Sequence, residues 1–171
     1  MLSWRPAGQE LIFYGGPILT VNNAGAVVQA LAVRDGVIVA VGGLDQVMQQ
    51  RTERTVMIDL PGGALLPGFV GAHEHPTLSA VFSGAHDLSG FCHQRNVQVW
   101  SALRTAITRQ TDSGRVLNAS QAIDVRQALR AMTINAAYQL GIDSEADSLE
   151  VGKWADLQIV SANPYEVAGR R

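Results

Sequence analysis

The chain has 171 residues, 47% apolar and 16% charged, with 13 basic against 15 acidic residues and a net charge of −2. That length holds one ordinary domain with a real core, and the near-neutral balance excludes a binder held to nucleic acid by phosphate contacts. No apolar run reaches the ~18–20 residues of a membrane span, the start Met1-Leu2-Ser3-Trp4-Arg5-Pro6 lacks a signal-peptide core, and the single Cys92 points to a reducing, cytoplasmic setting.

The first 60 residues read as β-rich. Apolar runs at 11–14 and 18–21 are separated by the turn signal Gly15-Gly16-Pro17. Runs at 27–34 and 37–41 flank Asp35-Gly36, and Asp-Gly between β-branched runs predicts a hairpin. Gly42-Gly43 stops the second run, residues 44–50 have room for one or two helical turns, and 55–60 is a further strand. Pro61-Gly62-Gly63 breaks the chain before 64–66. Short strands joined by turns predict a small sandwich or a partly open barrel.

Residues 69–72 read as an apolar strand running into His73-Glu74-His75. The period then becomes helical. Val97, Trp100, Leu103 and Ile107 predict a helix over 97–108, and Asp112-Ser113-Gly114 predicts a turn. A second helix starts at Asp124, with Gln127 as capping partner. Val125, Ala128, Leu129, Met132 and Ala136 fit one face of it, and Gly141 stops it. Residues 148–152 read as a turn and 155–160 as a last strand. The fold class is mixed α/β, with strands at both ends of the chain and helices between.

His73-x-His75 is the sharpest chemical signal. Residues i and i+2 of a strand project to one face, so both imidazoles reach one metal ion, and imidazole suits zinc and similar divalent metals. Two ordinary surface histidines are the bland alternative. The position at the C-terminal end of an apolar strand, where barrel enzymes place their ligands, favours a ligand origin. Glu74 faces the other side of the strand. His86, Asp87, Cys92 and His93 lie close together, but their spacing matches no zinc motif, and they read as polar loop residues. Cys92 lacks the basic cluster of an activated thiol. Nucleophile-elbow, phosphate-loop and dinucleotide motifs are missing from the sequence.

Three N-terminal segments carry a family resemblance: Ala30-Leu31-Ala32-Val33-Arg34-Asp35-Gly36-Val37-Ile38-Val39-Ala40-Val41-Gly42, Val56-Met57-Ile58-Asp59-Leu60, and Leu66-Pro67-Gly68-Phe69-Val70-Gly71-Ala72-His73-Glu74-His75. Two C-terminal segments join them: Ala128-Leu129-Arg130-Ala131-Met132-Thr133-Ile134-Asn135-Ala136-Ala137 and Ser148-Leu149-Glu150-Val151-Gly152-Lys153-Trp154-Ala155-Asp156-Leu157. Together they resemble the amidohydrolase superfamily, and within it amidohydrolase family 3. The resemblance implies a composite β-sandwich built from residues 1–66 and 148–171. It also implies that residues 67–147 are a remnant of a metal-dependent-hydrolase (β/α)₈ barrel that cleaves carbon–nitrogen bonds other than peptide bonds. By the same resemblance His73 and His75 are the first two metal ligands, zinc or another divalent metal is the cofactor, and a small molecule is the substrate if the chain is active. Neither nucleic acid nor a membrane is expected as a partner.

The interval from His75 to Asp124 departs from that pattern, since 49 residues separate them (124 − 75). A complete barrel takes ~200 residues or more, and one βαβ unit alone takes ~30. The sequence therefore predicts a barrel whose middle is missing, with the junction between Trp100 and Asp112. The only lysine, Lys153, sits in the C-terminal turn motif, and a hydrolytic zinc site needs three protein ligands, a water and a base. The expected result is an impaired hydrolase. Its rivals are a compact site rebuilt from His73, His75, His86 and His93, and a non-enzymatic sandwich that serves as an interaction domain. Open strand edges at 69–72 and an uncovered face on the 125–136 helix predict a homo-oligomer.

Overall fold

A computed structural model describes residues 8–71, 95–111 and 113–167. Strands β1 (Glu10–Tyr14), β4 (Ala30–Arg34), β5 (Val37–Gly42) and β6 (Val56–Asp59) form one sheet in the order β5-β4-β1-β6. Strands β2 (Ile18–Leu19), β3 (Val27–Val28), β7 (Ala64–Pro67) and β8 (Leu157–Val160) form the other, in the order β3-β2-β7-β8. Both sheets are mixed: β1 runs antiparallel to β4 but parallel to β6, and β2 runs antiparallel to β3 but parallel to β7. Among the described residues no barrel closes.

Local chemistry explains the turns. Asp35 and Gly36 both take positive φ, 52° and 75°, the handedness that matches the twist of the β4–β5 hairpin. Gly16 carries the chain from the first sheet to the second. A Cβ there would stand 2.6 Å from the Gly63 carbonyl oxygen and 2.7 Å from that of Leu60, so a side chain would collide with backbone.

The strand period sorts side chains into layers. Phe13, Leu31, Val33 and Ile38 of the first sheet meet Ile18 and Leu65 of the second, with Leu60 and Leu149, in one buried core. The alternate residues Leu19, Ala64 and Leu66 face the other way. They are covered by Leu103 of α2 (Arg95–Thr108) and by Ala128 and Leu129 of α3 (Val125–Ala131). The outer face of the first sheet, with Ile12, Ala30, Ala32 and Ala40, packs on Val47 of α1 (Leu44–Met48). The second sheet is thus buried on both faces, which is why 64–66 shows no polar alternation.

The C-terminal segment is woven into this frame. β8 pairs antiparallel along β7, from Ala64 opposite Val160 to Pro67 opposite Leu157. The Ile38 N–H donates to the Lys153 carbonyl and the Ala155 N–H to that of Gly36, so residues 153–155 also brace the β4–β5 hairpin.

Three expectations need correction. Residues 69–71 are not a strand. The Gly68 N–H donates to the Asp156 carbonyl and the Val70 N–H to that of Met132, so the donors a barrel neighbour would use are spent on the entry to β8 and the end of α3. The predicted helix from Asp124 is two helices, α3 and α4 (Ile134–Leu140). Thr133 interrupts them with φ −128° and ψ −107°, its hydroxyl donating 2.8 Å to the Leu129 carbonyl, a side-chain bond that competes with helix continuation. The face of α3 is not open either, since Ala128 and Leu129 are 1% exposed under α2 and the second sheet. The start and stop signals hold: Asp124 and Gln127 bond each other's backbone N–H at 2.8 and 3.0 Å, and Gly141 ends α4 with φ 70°.

Candidate functional site

His73, Glu74, His75, His86, Asp87, Cys92 and His93 lie outside the described residues. The structure places the frame on either side of them. β7 leads into Gly68-Phe69-Val70-Gly71, which ends two positions before His73. That stretch is held at three points: Gly68 N–H to Asp156 O at 2.9 Å, Val70 N–H to Met132 O at 3.0 Å, and the Phe69 ring edge-on to Trp100 of α2 with centroids 5.2 Å apart. The approach to the histidine pair is thus positioned by β8, α3 and α2 together.

Among the described residues no three His, Cys, Asp or Glu side chains are grouped so as to hold a metal ion. Lys153 serves the turn it sits in. Its Nζ donates to the Asp143 carbonyl and to Ser148 Oγ at 2.6 Å, and lies 3.3 Å from Glu150 Oε2. Asp156 packs its carboxylate over Gly68, where a Cβ would come within 2.6 Å of Oδ1.

Asp147 was not singled out by its sequence context and is the most unusual acid in the described chain. It is 2% exposed, neither carboxylate oxygen has a hydrogen-bond partner, and its φ is 67°. Burial raises its pKa from 3.8 to about 6, the Asp156 charge adds to the rise, and Lys153 opposes it. Nothing in Ala146-Asp147-Ser148 forecasts this, because the burial comes from distant packing.

Beside this frame, α2, α3 and α5 (Pro164–Val167) leave a cleft of about 290 Å³. Trp100, Leu103, Ile107, Val125, Leu129 and Val167 line it. Such a lining accepts apolar groups; its polar members are Arg104 and Thr108, and the Thr108 hydroxyl donates to the Arg104 carbonyl at 2.8 Å.

Two mixed sheets with a helical layer over the second are an arrangement already known among solved proteins. A solved structure from Bifidobacterium longum matches with a TM-score of 0.55 and 13% identity, covering 95% of this chain and 91% of that one. A sequence model described as the amidohydrolase family matches residues 80–169, more than half of the chain. The chain belongs to the amidohydrolase family. The N-substituted formamide deformylase of Arthrobacter pascens is 39% identical over 64 residues, 37% of this chain and 12% of that protein. The imidazolonepropionase of Halobacterium salinarum is 32% identical over 144 residues, 78% of this chain and 33% of that protein. The chain spans a third or less of the length of these two relatives.

Proposed function

We propose that this chain is, by descent, a hydrolase of carbon–nitrogen bonds other than peptide bonds, shortened inside its barrel and impaired in catalysis. The observation that carries the reading is the course of the chain from 95 to 131. α2 is followed by a short turn closed by a Gln110–Val116 bridge, a 3₁₀ turn at Ala119–Gln121, and then α3. Leu103 of α2 and Leu129 of α3 share a core, so one helix follows directly on the other in space as in sequence. What is left between them and β7, residues 68–94, is fewer than the ~30 residues of one βαβ unit.

In this reading His73 and His75 are a ligand pair for zinc or another divalent metal. A bound zinc ion supplies a water of lowered pKa, but hydrolysis also requires a third ligand and a positioned base. The impairment proposed here is the loss of those two parts with the missing barrel strands, and a small-molecule substrate belongs to the proposal only if the chain is active. Residues 1–66 with 148–171 are proposed as the composite domain, which the β7–β8 pairing and the burial of Leu149 support. The second reading, a non-enzymatic interaction domain, is favoured by the apolar cleft beside α2.

The test is metal content after purification without added metal, followed by an amidase and esterase screen with and without zinc. Zinc retention is expected to fall in a His73→Ala, His75→Ala double variant, with no zinc-dependent turnover in the native chain above that of the variant. Turnover that disappears in the double variant overturns the impairment and makes His86 and His93 the first candidates for the missing ligand. Self-association is a separate proposal. It is supported by the sheet edges β6 and β8, which expose Val56 and Ile159 at 53% and 57%. Sedimentation at high concentration is expected to show a dimer or larger, and a monodisperse monomer counts against it.

A further inference from the structure

We propose that the pocket between the β2–β3 loop and helices α3 and α5 is a binding site for a small phosphate-type oxyanion, either inorganic phosphate or a phosphomonoester. The pocket has a volume of about 230 Å³, and Asn22, Asn23, Gly25, Arg126, Arg130 and Tyr165 line it. None of the residues that line it belongs to the segment that carries the histidine pair, and the proposal needs none of the metal chemistry above.

The side-chain polar atoms there are sorted by sign. Arg130 Nη1 donates to the carbonyls of Val21 and Asn22 at 3.4 and 2.9 Å, and its Nη2 donates to Asn23 Oδ1 at 3.0 Å. Arg126 Nη1 donates to the Gly25 carbonyl at 3.0 Å, and its guanidinium lies 4.1 Å from the centre of the Tyr165 ring. Asn22 Oδ1 accepts from the Ala26 N–H at 3.4 Å. Both asparagine side-chain oxygens are therefore occupied by protein donors. The side-chain groups without a protein partner among the described residues can all donate: the two asparagine amino groups, Nε and Nη2 of Arg126, and the Tyr165 hydroxyl.

Charge points the same way. Among the described residues no carboxylate stands within ion-pair distance of either arginine. Asp124, the acid whose charge reaches Tyr165, has its Oδ1 on the Gln127 N–H. Arg126 and Arg130 sit four residues apart on α3, where like charges repel, and an anion between them would relieve that repulsion. A loop tie alone explains the bonds of Arg130 but leaves two nitrogens of Arg126 unused, in the fork geometry that suits phosphate oxygens. The loop residues and the arginines are more than 100 positions apart in sequence, so the pocket exists only in the folded chain.

The experiment is isothermal titration of the full chain with inorganic phosphate, phenyl phosphate and acetate, at ionic strength held constant with sodium chloride. Saturable one-to-one phosphate binding is expected. Arg126→Gln should weaken it about tenfold or more. Tyr165→Phe, which keeps the ring under the guanidinium, should weaken it by a smaller factor. Arg104→Gln, on the other cleft, should leave it unchanged. Tighter binding of phenyl phosphate assigns the site to a phosphomonoester, and equal or weaker binding assigns it to free phosphate. No saturable phosphate binding, acetate binding as tight as phosphate, or full affinity in both pocket variants overturns the proposal. Should Arg126→Gln lose its cooperative melt, Tyr165→Phe decides alone.

Discussion

A chain ending at Gly152 is expected to lose the cooperative melt and the β signal of the whole protein, not those of its last strand alone. The reason is the number of distant groups that residues 153–160 satisfy. β8 completes β7 along four residue pairs, and β7 is buried over its full length between the two cores. The same segment accepts the Ile38 and Gly68 N–H bonds and donates to the carbonyls of Glu145 and Gly36. Each such bond contributes about 1 kcal/mol, and each buried group left without a partner costs about 1–3 kcal/mol. Those four bonds and the β7 ladder, with the apolar cover of Ala155 and Leu157 on the main core, together approach the ~5–15 kcal/mol of a typical domain. Circular dichroism and a thermal melt read the outcome. A chain ending at Val160 keeps β8 and should still melt cooperatively. A Gly152 truncation with its β signal and cooperative melt intact would remove the basis for a composite domain.

The sequence signals that succeeded are those whose physics is local. Asp35-Gly36 encodes its own backbone handedness, Asp124 and Gln127 find each other within one turn, and Val97, Trp100, Leu103 and Ile107 mark α2 by period. The failures are non-local. Residues 69–71 carry strand-like apolar character, but their backbone partners lie at Met132 and Asp156, which no window around residue 70 contains. The break at Thr133 hides inside an uninterrupted helical period, because one hydroxyl turned onto the Leu129 carbonyl decides it. The candidate site divides the same way. His73-x-His75 was legible as a motif, whereas the points that fix its approach were not. The Arg126–Arg130 pair is visible as a helical spacing, but its pocket requires a loop from the other end of the chain.

Asp147 carries the second large expected effect, a loss of stability as pH rises. Its side chain is buried, its two oxygens have no hydrogen-bond partner, and burial with the neighbouring Asp156 charge puts its pKa at about 6 against an ordinary 3.8. The folded chain therefore holds this proton more tightly than the unfolded chain does. The stabilisation is fully present below about pH 4, declines as pH rises through about 6, and is gone above it. A shift of this size corresponds to about 2–3 kcal/mol, or roughly 5–10 °C in melting temperature for a chain of this length. Glu10 acts in the opposite sense: its hydrogen bond from Thr52 outweighs burial and lowers its pKa, so its contribution is lost as pH falls toward the acid range. Comparison with Asp147→Asn cancels that background. Asparagine keeps the shape and tolerates the positive φ, but it cannot ionise. The melting temperature of the native chain relative to Asp147→Asn should fall between about pH 4 and pH 7.5, leaving the variant the more stable at the upper end. Parallel pH profiles for the two proteins would show that Asp147 ionises in the folded chain as easily as in the unfolded one, and its buried, unpartnered placement would then be wrong.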